Sequence, residues 1–162
     1  MKRILGTTAI ILAILPAPAA KAVTPMEKLE NLASSIANTP TTIVCPPASE
    51  WKDNAGGYVM MDEPIVYLSP DACKGARAVA SGNKKIPRWQ RAHGILTLAH
   101  EAWHVRKWKG RYNENEVECR ALSTFLWAVE RVSSRKQAKL LYPLAVEEHR
   151  FIKINTKYQG SC

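Results

Sequence analysis

Apolar residues recur along the chain with two different spacings, which predict helices and three brief strands. Helical spacing over residues 26–36 lies between a Thr-Pro start at 24–25 and an Asn-Thr-Pro stop at 38–40, so we expect a first helix there. Runs of β-branched and aromatic residues then predict strands over residues 42–45, 58–61 and 64–68. Pro64, at the start of the third strand, favours an edge position, because proline cannot donate a hydrogen bond to a neighbouring strand.

Helical spacing dominates the rest of the chain. A helix is expected over residues 70–80, a longer one over 87–107, and a third from residue 113 onward. The last segment, residues 134–158, predicts a basic amphipathic helix in which Pro143 should cause a kink or a break. Together these elements predict a mainly helical α+β fold.

The first 22 residues have the pattern of a removable secretory signal. A positive start, Met1-Lys2-Arg3, precedes about a dozen mostly apolar residues and two small-x-small cleavage patterns at 17–19 and 20–22. The apolar run is too short to span a bilayer, and no second candidate span follows. We therefore expect a signal peptide over 1–22, a single mature domain over 23–162, and a secreted or periplasmic location.

Export changes the interpretation of the four cysteines. All four lie after the predicted signal, and none has the Cys-x-x-Cys spacing of a zinc ribbon. An even number of cysteines in an oxidising compartment favours two disulfides, although the sequence alone cannot choose among the three pairings. Our prediction pairs Cys45 with Cys73 and Cys119 with Cys162.

The net charge of the chain does not change the expected fold or location. Of the 23 Lys and Arg residues, three lie in the predicted signal, which leaves 20 against 14 Asp and Glu. The remaining basic residues are scattered, apart from a run over 106–111 that could favour an anionic surface. We do not expect nucleic acid as the partner, and we expect a monomer.

The most informative stretch is the pattern His-Glu-x-x-His at residues 100–104. On a helix His100 and His104 lie on one face, so both imidazoles can bind one ion, and zinc suits this pair. Glu101 lies next to them without being a ligand. It is the expected general base for a metal-activated water.

A third ligand is expected from the following helix. Glu114 and Glu118 are four residues apart and share a face, whereas Glu116 points roughly the opposite way. One carboxylate can complete a three-ligand zinc site. The other can accept a hydrogen bond from a ligand imidazole and fix its tautomer. Spacing alone leaves both assignments open.

The motif helix followed by a glutamate helix resembles the gluzincin clan of zinc peptidases, over about residues 42–129. The resemblance implies a minimal zincin: an N-terminal helix, a short three-stranded sheet, the active-site helix, the glutamate helix and a C-terminal helix. It also implies Glu101 as the catalytic base, with His100, His104 and Glu114 as zinc ligands. The gap from His104 to Glu114 is short for this clan, so Glu118 is the alternative ligand.

The resemblance further implies hydrolysis of peptide bonds in a substrate that lies along a sheet edge. The candidate edge strands are residues 58–61 and 65–68. A donor to the developing oxyanion is expected, and the candidates are His149, Tyr142, Tyr112 and Arg120. Of these, we favour His149, on the last helix. His93, two helical turns before His100, is too far to join the same ion and is expected to be structural.

Two other functional classes remain open at this point. One is a zincin-like protein that binds zinc as a module without turnover. The other is a basic secreted protein that binds an anionic partner through residues 106–111, with a strong dependence on salt.

Overall fold

The computed structural model describes residues 21–52, 55–60, 63–107 and 113–155. In chain order the elements are α1 Pro25–Ala37, β1 Thr42–Val44, β2 Gly57–Val59, β3 Ile65–Leu68, α2 Pro70–Ser81, α3 Arg88–Lys107, α4 Glu114–Val132 and α5 Arg135–Asn155. This arrangement confirms the predicted helical α+β fold. Most of the predicted signal peptide, residues 1–20, lies outside the described residues. Within them, no helix combines the length and apolarity needed to cross a bilayer.

The first two helices begin with the local signals expected from the sequence. At the start of α1, the Thr24 hydroxyl accepts a hydrogen bond from the Glu27 backbone N–H, and the Glu27 carboxylate accepts one from the Thr24 N–H. This reciprocal pair satisfies two backbone donors that a helix start leaves without partners. In α2, Ser69 accepts a hydrogen bond from the Ala72 N–H, and Gly82 ends the helix in the left-handed region.

The three strands form one sheet in the order β1-β3-β2, with β1 parallel and β2 antiparallel to β3. The expectation that Pro64 marks an edge strand is therefore wrong, because β3 is central. Pro64 precedes the first paired residue of β3, Ile65. Its carbonyl accepts a hydrogen bond from the Thr42 N–H at 3.0 Å, so the missing proline N–H removes nothing from the ladder.

The core is built around α3. This helix packs against the other four helices and against β2 and β3. Its buried apolar residues are Ala92, Ile95, Leu96, Leu98, Ala99, Ala102, Trp103 and Val105. Because apolar residues cover much of its circumference, the helix that bears the His-Glu-x-x-His motif is fixed from several sides.

Glycines allow α2 and α3 to approach closely. A Cβ added at Gly75 would fall far inside contact distance of the Gln90 carbonyl, and one at Gly94 would clash with the backbone of Ala72 and Ala76. These neighbours are backbone atoms, so only separation of the two helices could relieve the clash.

We expect Gly75→Ala to lower the free energy of unfolding by about 1–3 kcal/mol, the usual cost of overpacking a close-packed interface. Urea denaturation of the metal-free protein would measure the change. The matched control is Lys74→Ala, next to it on the exposed side of α2, which should change stability by less than about 0.5 kcal/mol. Equal stability of Gly75→Ala and the wild type would contradict this packing.

Helix α5 runs from Arg135 to Asn155 and includes Pro143, so of the expected kink or break, the break is wrong and the kink stays a prediction. Pro143 is exposed, and the carbonyl group that its missing N–H leaves unbonded can therefore be solvated. The end of the predicted helix, residues 156–158, lies outside the described residues.

A disulfide joins Cys45, just after β1, to Cys73 in α2, with the two Cα atoms 5.9 Å apart. This pairing confirms the first predicted disulfide. Cys119 is also disulfide-bonded. Its predicted partner, Cys162, lies outside the described residues, so that pairing stays a prediction.

Candidate metal centre

Helices α3 and α4 bring three potential ligand atoms together. The Nε2 atoms of His100 and His104 are 2.8 Å apart. The Oε2 atom of Glu114, in the first turn of α4, lies 3.5 Å from His100 Nε2 and 3.2 Å from His104 Nε2. Among the described residues, these three form the group that is placed to hold a metal ion. They are the same three residues that the resemblance to gluzincins implies as ligands.

The spacing of the three atoms suits a tetrahedral ion. With bonds of about 2.0–2.1 Å, neighbouring ligands of a tetrahedral zinc ion lie about 3.3 Å apart, and the observed separations bracket that value. Two imidazole nitrogens and one carboxylate oxygen also form a donor set that zinc takes in catalytic sites. The geometry fits zinc, although donor atoms of this kind do not fix the identity of the metal.

Glu118 supports the group from behind. Its carboxylate is buried, with 4% of the residue exposed, and its Oε2 accepts a hydrogen bond from Nδ1 of His100 at 2.8 Å. A carboxylate only accepts, so Nδ1 holds a proton, and in the neutral ring, the form that binds a metal, Nε2 has the free electron pair. The two glutamates thus share one helix face, as predicted, but contact different nitrogens of His100. Glu116 instead pairs with Arg120 at 3.6 Å.

The ionisable groups of the cluster shift each other's pKa strongly. Burial opposes a charge on His100, but its hydrogen bonds to Glu114 and Glu118 and the nearby carboxylates raise its pKa to about 10. The hydrogen bonds from His100 and His104 hold the pKa of Glu114 far below its usual value. Burial raises the pKa of Glu118, yet its contacts with the two histidines His100 and His149 outweigh burial, and the net shift is downward.

These shifts predict that metal binding releases a proton. Because the pKa of His100 is about 10 in the metal-free protein, His100 is protonated at neutral pH, and a bound ion must displace that proton. The apparent affinity for zinc should therefore rise from pH 7 to pH 9. Calorimetric titration in two buffers of different ionisation enthalpy would count the released protons. A pH-independent affinity over this range would contradict the prediction.

Glu101 lies beneath the edge strand β2. It is buried, with 6% exposed, and a Cβ added at Gly57 would come within 2.8 Å of its Cγ. Burial raises the pKa of Glu101, against the opposing effect of His100 and His104. A raised pKa moves a carboxylate towards the range in which it can exchange protons near neutral pH.

The close approach of β2 to α3, the helix that bears the His-Glu-x-x-His motif, was not predicted from the sequence. Gly56 and Gly57 come just before the second strand predicted from the sequence, residues 58–61. In the structure both glycines lie against Thr97 of α3, and Gly57 also lies against Glu101. A glycine inside a strand often marks such a contact, and that signal was present.

The structure describes three of the four candidate oxyanion donors, and each has different surroundings. His149 is buried on α5, with its Nδ1 3.0 Å from Oε1 of Glu118. Tyr142 packs beside the Phe125 ring, and the Arg120 guanidinium lies over the Trp103 ring. Tyr112 lies outside the described residues.

His93 has a contact of its own, away from the three-atom group. Its Nδ1 contacts the Glu148 carboxylate on α5. The contact joins α3 to α5, and the structural role expected for His93 stays a prediction.

No protein-family model, curated protein or solved structure matches the chain. A functional assignment therefore depends on the side chains of His100, His104 and Glu114 and on their surroundings. Those side chains define a candidate metal centre with a buried carboxylic acid, Glu101, beside two of its donors.

Proposed function

We propose that the protein is an exported zinc-dependent peptidase of the gluzincin type. One observation supports this above all: Glu118 fixes His100 through Nδ1, so that the Nε2 of His100 faces the Nε2 of His104 and the carboxylate of Glu114. If these residues only packed the two helices together, no buried carboxylate would be needed to hold a proton on Nδ1 of His100.

Within the proposed site each group has a separate role. Zinc would act as a Lewis acid when bound by His100, His104 and Glu114, and it would lower the pKa of a water molecule to near 7. Glu101 accepts a proton from the attacking water and delivers it to the leaving amine. Its burial under Gly57 suits this role, because a desolvated carboxylate is a stronger proton acceptor than an exposed one.

The sheet supports a peptide as the substrate. Because β3 is central, only β2 of the two predicted substrate strands has an open side, one that pairs with none of the strands in the described part of the chain. Ser69 N–H bonds to the Gly56 carbonyl at 2.8 Å, and Tyr58 lies opposite Tyr67. In an antiparallel pair the bonded positions alternate, so the N–H and C=O groups of Gly57 point towards the open side. An extended peptide can pair with such an edge, next to Glu101.

A metal-dependent cleavage assay tests the proposal. The mature protein would be incubated with a mixed peptide library, before and after removal of metal with a chelator and again after addition of zinc. We expect cleavage that is lost with the metal and restored by zinc. No cleavage by a protein that retains one zinc per chain would favour the binding module without turnover instead.

The basic-surface alternative has less support. Arg106 lies over the Trp103 ring, at 4.8 Å from its centroid, and donates to the Ile36 carbonyl at 3.3 Å. Arg106 is exposed, but an anionic partner would have to compete with these two contacts for its guanidinium. Residues 108–111 of the basic run lie outside the described residues.

A further inference from the structure

His149 makes a buried polar contact that the proposed mechanism does not use. His149 of α5 is buried, with 5% exposed, and its Nδ1 lies 3.0 Å from Oε1 of Glu118. The other oxygen of the same carboxylate, Oε2, lies 2.8 Å from Nδ1 of His100. Glu118 therefore joins the imidazole of a proposed ligand to a second, deeper imidazole.

A carboxylate in this environment needs both contacts. Glu118 is 4% exposed, so water is not available to satisfy an oxygen that lacks a protein partner. With His100 alone, the carboxylate could rotate about its terminal bond and the hydrogen bond to His100 would lose its alignment. The contact from His149 holds the second oxygen and thereby fixes the plane of the carboxylate.

We infer that His149 is a positioning residue for the zinc site, which acts by holding Glu118 in the orientation that fixes the ring of His100. This inference rests on the proposed function and goes beyond it. The C-terminal helix α5 thereby becomes part of the site, although it provides none of the three proposed ligands. His149 is thus assigned to support of the metal site and not to stabilisation of an oxyanion.

The neighbouring residue of α5 provides a matched comparison. Glu148 contacts His93 of α3, so α5 makes two His–Glu contacts at adjacent positions. Glu118, which His149 contacts, also contacts His100. His93, by contrast, is not one of the three residues that supply ligand atoms. Loss of either contact should destabilise the packing of α5, but only loss of His149 should weaken metal binding.

The test is a zinc titration against a competing chelator, with three variants. We expect His149→Leu to weaken zinc binding about 10- to 100-fold, the usual effect of removing an outer partner of a metal ligand. His149→Asn places an amide N–H donor close to the position of Nδ1 and should recover most of that loss. The control His93→Leu should retain the wild-type affinity, even if its melting temperature in the metal-free state falls as much as that of His149→Leu.

The outcomes separate this inference from the proposed function. If the wild type binds zinc and His149→Leu binds it equally tightly, or if His93→Leu weakens binding to the same extent, the inference is overturned and the proposed function is not. If the wild type binds no zinc, both are overturned.

If the His149 variants do not fold, a measurement on the wild-type protein still tests whether His149 donates to Glu118. Nitrogen-15 NMR of the zinc-loaded protein reports which ring nitrogen of each histidine holds the proton. We expect the proton on Nδ1 of both His100 and His149. A proton found only on Nε2 of His149 would overturn the inference, because Nδ1 could not then donate to Glu118.

Discussion

The Glu101→Gln variant is expected to retain one zinc ion per chain and to hydrolyse peptides about 10²- to 10⁴-fold more slowly than the wild type, the usual contribution of a positioned general base. Glutamine has nearly the shape of glutamate, so the packing beneath Gly57 should be kept. An amide cannot accept the proton of the attacking water. Zinc content and initial rates on the best library peptide would be measured on the same preparation.

The matched control is Glu116→Gln, the same chemical change at a residue that pairs with Arg120 on α4. It should leave both zinc content and rate close to the wild-type values. An undiminished rate in Glu101→Gln would rule out this carboxylate as the base, and the mechanism proposed here would fail with it.

The His104→Ala variant is expected to lose zinc during purification. His104 contributes the Nε2 atom that lies closest to both other donors, at 2.8 Å from His100 Nε2 and 3.2 Å from Glu114 Oε2. Loss of a ligand should cost more than the roughly 10- to 100-fold in affinity lost with an outer partner. Elemental analysis after dialysis without chelators would measure the metal content of each variant.

His93→Ala is the matched control for His104→Ala, because it makes the same change on the same helix, outside the three-atom group. It should retain about as much zinc as the wild type. Equal zinc content in His104→Ala and the wild type would show that the ion binds elsewhere. A wild type that cannot be loaded with zinc would make the motif a coincidence.

The sequence by itself determined the features that depend on neighbours along one helix. The four-residue spacing of His100 and His104, and that of Glu114 and Glu118, places each pair on one face wherever the helix lies. The helix start at Thr24-Pro25 was also predicted, because its capping bonds form within three residues. The pairing of Cys45 with Cys73 was predicted as one of several possibilities, and the fold selected it.

Only the tertiary structure decided how these elements meet. Which glutamate faces the Nε2 atoms of the histidines depends on how α4 packs along α3. The central position of β3 depends on the joint register of three strands, and Pro64 alone could not indicate it. Glu118, which His149 contacts, is 31 residues away, on another helix.

The physical reason is the range of the interactions involved. Helix periodicity and capping arise from backbone hydrogen bonds that span three or four residues, so a local pattern predicts them. The contact of Gly57 with Glu101, and that of His149 with Glu118, arise from close packing between elements distant in sequence. The motif thus determined which residues can bind a metal, and the packing of β2, α4 and α5 around α3 decided which residues support them.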